Sequence, residues 1–286
     1  MIRQILAALD GSESGRAAGR YAAYLGVAMN AGVRALNVID ARALEGPTFR
    51  DFTMQMGLEP FETYTQALRE VLQNQADEVI ARFRGDASEI GLKDETITVS
   101  VETGIVGSVI CEQAVHVDLV VMGQHGDNRT FTGGLLGSTA EQIVRRATRP
   151  VMVCPPSYAP IRRPLVAYDG SQPADTALHL AADFATQLGT GLIVFVVADG
   201  EQMTGEQAQA VKAIASEYLS RSDLDVQYRV VEGYSEQRIV ELCTQGACDL
   251  IVMGAFGRSR IRELIVGSTT AYVMRRSTLP VLLVRP

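Results

Sequence analysis

The sequence has no excess of basic residues and no long apolar run. Its formal net charge is −7 and its pI is about 5.1, which argues against general binding to nucleic acid or to an anionic membrane, because both need a basic surface. No apolar stretch approaches the roughly 20 residues that a membrane-spanning helix needs. The first residues read as a strand and not as an export signal. We therefore expect a cytoplasmic protein with neither nucleic-acid nor membrane partners.

Residues that commonly carry metal, redox or catalytic chemistry are few and dispersed. The four cysteines form no CxxC pair, and the three histidines are scattered, so we expect structural thiols and no metal ligands. Neither GxxxxGK[ST] nor GxGxxG occurs, which argues against a Walker loop and against hydride transfer with a dinucleotide. No Ser-His-Asp order and no isolated general base can be argued. We therefore predict no catalytic residue.

The sequence does contain a glycine motif that occurs twice. Gly254-Ala255-Phe256-Gly257 is followed, after nine residues, by Gly267-Ser268-Thr269. Gly123-Gln124-His125-Gly126 is followed, after ten residues, by Gly137-Ser138-Thr139. Each copy lies between an apolar run and an amphipathic segment, the pattern of a strand, a loop and a helix start. Such a turn presents backbone N–H groups and the positive end of a helix to phosphate.

A plainer interpretation of this motif also exists. The glycines could be turn residues, and Ser268 could be no more than a helix N-cap. One loop alone would be weak evidence for a ligand. Two copies with similar spacing in matching contexts favour nucleotide binding.

The rest of the chain repeats as well, so the sequence predicts two domains, at 1–156 and 161–286. Leu6–Ser12 matches Leu165–Ser171, and the apolar run before each glycine loop is repeated. A proline-rich linker, Pro155–Pro160, separates the halves. The first half is longer, and its extra residues fall mostly within 41–65. We expect this insertion to cap the first core, with a pocket cover or a partner surface as alternatives.

Within each half, strands alternate with helices. The first half includes predicted helices over 12–29 and 61–83, the latter with an apolar stripe that includes Val71 and Ile80. Apolar strands that alternate with helices predict an α/β fold with a parallel sheet covered on both faces. The predicted strands are Gln4–Leu9, Arg34–Ile39, Thr96–Glu102, Leu119–Met122, Val151–Val153, Leu165–Tyr168, Leu192–Val197, Val226–Val231, Leu250–Met253 and Val281–Val284.

Ligands of such sheets bind beyond the carboxyl ends of the strands, where the strand order reverses. Asp10 and Asp169 each end the first strand of a half, and their carboxylates could accept hydrogen bonds from an adenine amino group or a ribose hydroxyl. The alternative is a turn or N-cap aspartate. His125 could contact phosphate when it is protonated, but the second half has Phe256 at the matching position.

The two glycine loops differ in charge. The second carries arginines at 258, 260 and 262, whereas the first carries Arg129 and the opposing carboxylate of Asp127. If only one site is occupied, the sequence favours the second half.

These residues resemble the universal stress protein family in its tandem two-domain form. That family is marked by GxxG, nine residues and G[ST] after the fourth strand, with an aspartate at the end of the first. The second loop fits the pattern, and the first fits it with one extra residue at the Gly133-Gly134 pair. The resemblance implies two Rossmann-like, adenine-nucleotide alpha hydrolase-like domains. Each would have a five-stranded parallel sheet of order 3-2-1-4-5, and the halves would pack as a pseudo-dimer, often through the fifth strands.

Carried over position by position, the resemblance implies ATP, with or without Mg²⁺, as the ligand. The aspartates would face the adenosine end, the backbone at Val38 and Val197 would contact adenine, the glycines would hold ribose and phosphates, and the hydroxyls that follow would bind phosphate oxygens. The implied ATP-binding residues are Asp10, Val38, Gly123, Gly126, Gly137, Ser138, Thr139, Asp169, Val197, Gly254, Gly257, Gly267, Ser268 and Thr269.

The leading hypothesis is a cytoplasmic, homodimeric ATP-binding protein of stress response or signalling, with little or no hydrolysis. One alternative is an interaction module that has lost ligand binding in one or both halves. Another is a slow ATPase or an adenylyl-transferring enzyme of the wider superfamily, for which the sequence offers no candidate base.

Overall fold

The first half of the computed structural model contains five strands. The structure describes residues 1–45, 61–126, 137–255 and 267–285 of the chain, with only the backbone for 44, 45 and 61–65. In chain order the first half comprises β1 (Gln4–Leu9), α1 (Glu13–Met29), β2 (Gly32–Asp40), α2 (Ala41–Glu45), α3 (Phe61–Ile90), a short 3₁₀ turn (Asp94–Thr96), β3 (Ile97–Gly104), α4 (Val106–Ala114), β4 (Leu119–Gly123), α5 (Ser138–Arg146) and β5 (Val151–Cys154).

The second half repeats this alternation of strands and helices. It comprises β6 (Pro164–Ala167), α6 (Gln172–Leu188), β7 (Leu192–Ala198), α7 (Gly205–Leu219), β8 (Val226–Glu232), α8 (Ser235–Thr244), β9 (Leu250–Gly254), α9 (Ser268–Arg276) and β10 (Val281–Val284).

All ten strands belong to one sheet, in the order β3-β2-β1-β4-β5-β10-β9-β6-β7-β8. Within each half the strands are parallel and follow the order 3-2-1-4-5. The two halves join where β5 and β10 pair antiparallel, with Val281 opposite Val153 and Leu283 opposite Val151. The fold class predicted from the sequence, two α/β halves built on a mainly parallel sheet, is confirmed. The domain boundaries stay predictions.

The core lies in two layers, one on each face of the sheet. Along β1, Ile5 and Leu9 face the layer beneath α1, α3, α6 and α7, whereas Leu6 and Ala8 face the layer beneath α4, α5, α8 and α9. The inner strands are therefore mostly apolar, because both faces of a parallel sheet are covered. The two edge strands differ, since β3 and β8 alternate polar and apolar residues over most of their length.

The long helix α3 differs from its prediction in two ways. It does not end at Phe83 but continues to Ile90, because Asp86 and Ala87 are buried against the first half. Gly91, with φ +94, then ends the helix. The prediction of Val71 on the apolar stripe was wrong, since its side chain is 51% exposed, while Ile80 is buried as expected.

The linker between the halves packs onto α1. The ring of Tyr158 meets Tyr21 edge-on at 4.9 Å between centroids, and the Ala159 N–H donates to the Tyr21 hydroxyl at 3.2 Å. The Tyr24 hydroxyl donates to the carbonyl of Ile161 at 2.9 Å. The linker is thus fixed to the same helix that begins at the first candidate site.

Within the described residues no helix is long and apolar enough to cross a membrane. Of the predicted insertion, 46–60 lies outside the described residues, so its role stays a prediction.

Candidate functional site

The site lies where the strand order reverses, between β1 and β4 in the first half and between β6 and β9 in the second. Asp10 follows β1 directly, and Gly123 ends β4. Because parallel strands end at the same edge of a sheet, these two predicted residues lie side by side. The second half gives Asp169 and Gly254 matching places. This is the crevice in which ligands of open α/β sheets bind.

The carboxylate of Asp10 is part of the turn that starts α1. Its Oδ1 accepts a hydrogen bond from the Ser12 N–H at 3.1 Å and lies 2.6 Å from the Ser12 Oγ. Gly11 allows this turn through its φ of +83. A Cβ placed on Gly15 would lie 2.1 Å from Asp10 Oδ1, so no side chain fits there beside the carboxylate. Ser12 caps α1 by accepting from the Gly15 N–H, so the cap is the serine and not the aspartate.

The first glycine loop is held against this turn by two serines. The Ser14 Oγ donates to the His125 carbonyl at 2.5 Å and accepts from the His125 N–H at 3.2 Å. The Ser12 Oγ lies 3.0 Å from the same carbonyl. A Cβ on Gly126 would lie 3.1 Å from Asp10 Oδ2, so the loop passes directly over the carboxylate. The structure thus brings Asp10, Gly123 and Gly126 together.

The glycines of this loop allow close backbone approach. A Cβ on Gly123 would lie 2.7 Å from the Gly15 backbone nitrogen, and one on Gly137 would lie 3.1 Å from the Gln124 carbonyl oxygen. The Gly137 N–H donates to that same carbonyl at 3.0 Å. The two ends of the loop therefore lie next to each other, and Gly137, which precedes α5, lies beside the backbone of His125 and Gly126.

Neither helix that follows a glycine loop has a side-chain cap. The N-cap is Gly137 for α5 and Gly267 for α9, and no side-chain hydrogen bond caps either helix. The interpretation of Ser268 as the N-cap was therefore wrong, since Ser268 is the first helical residue. Ser138 and Ser268 are exposed, while Thr139 and Thr269 are half-buried. Uncapped first-turn N–H groups at the positive end of a helix suit an anion.

The strand register places the predicted adenine contacts beside the aspartates. Leu9 pairs with Asn37, so Val38 lies level with Asp10. In the second half, Ala167 pairs with Phe195, and the same register places Val197 level with Asp169. Val38 is half-buried and Val197 is buried.

The second site has the same turn after its first strand, but it lacks a serine at the position of Ser14. Asp169 Oδ1 accepts from the Ser171 N–H at 2.9 Å, and Gly170 makes the turn with a φ of +75. Pro173 stands where the first half has Ser14, and a Cβ on Gly254 would lie 2.8 Å from the Pro173 Cβ. The second half therefore has no hydroxyl at the position that Ser14 occupies in the first.

Some predicted residues cannot be placed. Gly257 and Phe256 lie outside the described residues, and so do the charges on which the two loops were predicted to differ. These are Asp127, Arg129, Arg258, Arg260 and Arg262.

Sequence reasoning missed three residues of the site. Ser12 and Ser14 anchor the first loop, and the only signal was their position just after Asp10. Asn37 is buried, and its Nδ2 donates to the Leu9 carbonyl at 2.8 Å, which fixes the end of β1. An asparagine inside an apolar strand was the available signal, because a buried amide needs partners.

Among the described residues of the first site, one buried polar side-chain atom has no hydrogen-bond partner. The Nδ1 of His125 is buried, and the described part of the chain offers it no hydrogen bond. A buried polar atom without a partner is destabilising unless a ligand or an ordered water contacts it. Within the described residues, no group of three or more His, Cys, Asp or Glu side chains is placed to hold a metal ion.

Comparison with known proteins returns one family for both halves. The model of the "Universal stress protein family" matches residues 1–155 and 160–285. A universal stress protein of Synechocystis sp. is 30% identical over 99% of this chain and 100% of its own length. One of Mycobacterium tuberculosis is 25% identical over 98% of this chain and 94% of its own. The crystal structure of a universal stress protein from Archaeoglobus fulgidus shares the fold, with a TM-score of 0.74, 22% identity and coverage of 99% of this chain and 98% of that one.

Proposed function

Because the chain belongs to the universal stress protein family, we propose that it binds ATP at its two strand-end glycine loops and acts in stress response or signalling. The observation that carries the proposal is the convergence at the first site. Asp10, the Gly123–Gly126 loop and the uncapped start of α5 meet at the crevice between β1 and β4.

The residues at this site fit a nucleotide in three ways. Asp10 is exposed, and the backbone comes close to its carboxylate because Gly15 and Gly126 lack side chains. The first turn of α5, with Ser138 and Thr139, offers N–H groups and hydroxyls to phosphate oxygens. The Nδ1 of His125, in the same loop, forms no hydrogen bond with the described residues, so a ligand or a water is needed to satisfy it.

The adenosine end would lie at the other side of the crevice. The Asp10 carboxylate can accept a hydrogen bond from a ribose hydroxyl or an adenine amino group, and the backbone at Val38 lies level with it. Asp169, Val197, Gly254, Gly267, Ser268 and Thr269 would play the same parts in the second half. A Mg²⁺ ion, if present, would bind with the phosphates and offset their charge.

We propose little or no hydrolysis. Among the described residues, the groups that would contact phosphate at the first site are backbone N–H groups, serine and threonine hydroxyls and the His125 imidazole, a set that suits binding. The carboxylate of Asp10, a candidate base among the described residues, already accepts a hydrogen bond from the Ser12 N–H. Bound nucleotide would then act by changing the conformation of the protein or its choice of partner. We propose that the protein is a cytoplasmic homodimer.

The test compares two glycine variants by calorimetric titration with ATP, after bound nucleotide has been removed. Gly126→Val places a side chain against Asp10 Oδ2, and we expect ATP affinity at the first site to fall by at least about 10-fold. Gly85→Val is the matched control, because a Cβ there meets no atom within 4 Å. Equal affinities of the two variants, or no ATP binding by the unmodified chain, would contradict the proposal.

A further inference from the structure

Each helix that begins at a glycine loop has its other end held by the opposite half of the molecule. The Gln124 side chain donates from Nε2 to the carbonyl of Met274, in the last turn of α9. The Arg285 guanidinium donates to the carbonyls of Arg145 and Ala147, at the end of α5, at 2.8 and 3.3 Å. The last carbonyls of a helix have no partner inside it, so these contacts satisfy groups that would otherwise need water.

Gln124 belongs to the first site as well as to this contact. It lies between Gly123 and His125, and it is 6% exposed. Its N–H donates to the Cys154 carbonyl at 2.8 Å, and its carbonyl accepts from the Gly137 N–H at 3.0 Å. A displacement of the first loop would therefore move the Gln124 amide relative to Met274.

In the second half, Ala255 occupies the position of Gln124 and forms the same backbone hydrogen bonds without the glutamine side chain. The Ala255 N–H donates to the Val284 carbonyl at 2.8 Å, and the Ala255 carbonyl accepts from the Gly267 N–H at 3.3 Å. These bonds match those of Gln124 one for one. Only the side chain differs, so the backbone role of this position does not require glutamine.

We propose that the two nucleotide sites are coupled, and that Gln124 carries the coupling from the first loop to α9. The inference rests on the proposed function, because it concerns the same two sites. Met274 lies six residues after Ser268, or about 9 Å along the helix axis. ATP bound at the first loop restricts the motion of Gln124, and Gln124 in turn restricts the last turn of α9. ATP that binds at the second loop then has less of α9 to order, so its affinity is higher and binding is positively cooperative.

The experiment measures each site alone and then both together. Ser138→Glu and Ser268→Glu place a negative charge at an exposed helix start, where it repels phosphate and is compatible with the helix dipole. ATP titration of Ser138→Glu gives the second-site dissociation constant, and titration of Ser268→Glu gives that of the first. ATP titration of the native chain gives two stepwise dissociation constants. We expect their product to be at least about 5-fold smaller than the product of the two single-site dissociation constants.

The same three titrations are then repeated with Gln124→Ala, the residue that the second half carries naturally. Here the two products should agree within about two-fold, the limit expected for uncoupled sites. A second measurement does not need this variant. When ATP is added to Ser268→Glu, hydrogen exchange of the last turn of α9 should slow, although the second site is blocked.

Equal products in the native chain, coupling that persists in Gln124→Ala, or no change in exchange at α9 would each overturn the inference while leaving ATP binding intact. No ATP binding at either site would overturn the proposed function, and the inference with it.

Discussion

Removal of the Ser14 hydroxyl should loosen the first glycine loop without disturbing the core. In Ser14→Ala the His125 carbonyl loses a donor at 2.5 Å, and the His125 N–H loses its acceptor at 3.2 Å. One such hydrogen bond is worth about 0.5–1.5 kcal/mol, so the two together are worth about 1–3 kcal/mol. Ser12, whose Oγ lies 3.0 Å from the same carbonyl, can compensate in part. We therefore expect a cost of about 1–2 kcal/mol.

This cost should appear mainly in binding. A loop that is no longer anchored must be ordered by the ligand, so ATP affinity at the first site should fall by about 5- to 30-fold. The assay is calorimetric titration in the Ser268→Glu background, so that only the first site reports. Ser88→Ala is the matched control, since Ser88 is exposed on α3 and far from the loop in sequence. An affinity of Ser14→Ala within two-fold of this control would refute the anchoring role.

Two further predictions concern the ion pair that joins α1 to α3. The Arg16 guanidinium donates to both carboxylate oxygens of Asp86, at 2.8 Å each, and Asp86 is 5% exposed. Asp86→Ala should lower the free energy of unfolding by about 1–3 kcal/mol at pH 7, measured by urea denaturation, because Arg16 is half-exposed and can turn to water. The hydrogen bonds from Arg16 hold the pKa of Asp86 below its ordinary value of 3.8, so the pair stabilises the fold above that pH and loses its effect as the pH falls through the lowered pKa. The stability difference between the native chain and Asp86→Ala should therefore shrink below about pH 4, and a difference that grows there would contradict this assignment.

The inner strands could be predicted from the sequence because a parallel sheet that is covered on both faces is largely apolar there. Each predicted strand appears within one or two residues of its observed ends, and β1 and β10 match in full. The long helix was read less well. The part of the helix beyond Phe83 is stabilised by a hydrogen-bonded ion pair between Asp86 and Arg16. These residues are 70 positions apart, so no local sequence pattern shows the contact.

The candidate site divides in the same way. Asp10 and the glycines were visible because their types and spacing repeat between the halves, and the structure brings those that it describes in the first half together. Ser14 and Gln124 were not predicted, since each acts through a partner more than 100 positions away. The second half has Pro173 in place of Ser14 and Ala255 in place of Gln124. The sequence shows both replacements, but their structural consequence depends on how the loop and the two halves pack.

Binding of nucleotide at the two strand-end loops can be tested by counting the ATP molecules bound per chain with native mass spectrometry. We expect two ATP molecules on the native chain, one on either Ser138→Glu or Ser268→Glu, and none on the double variant. No bound ATP on the native chain, or the same number on the double variant, would contradict it.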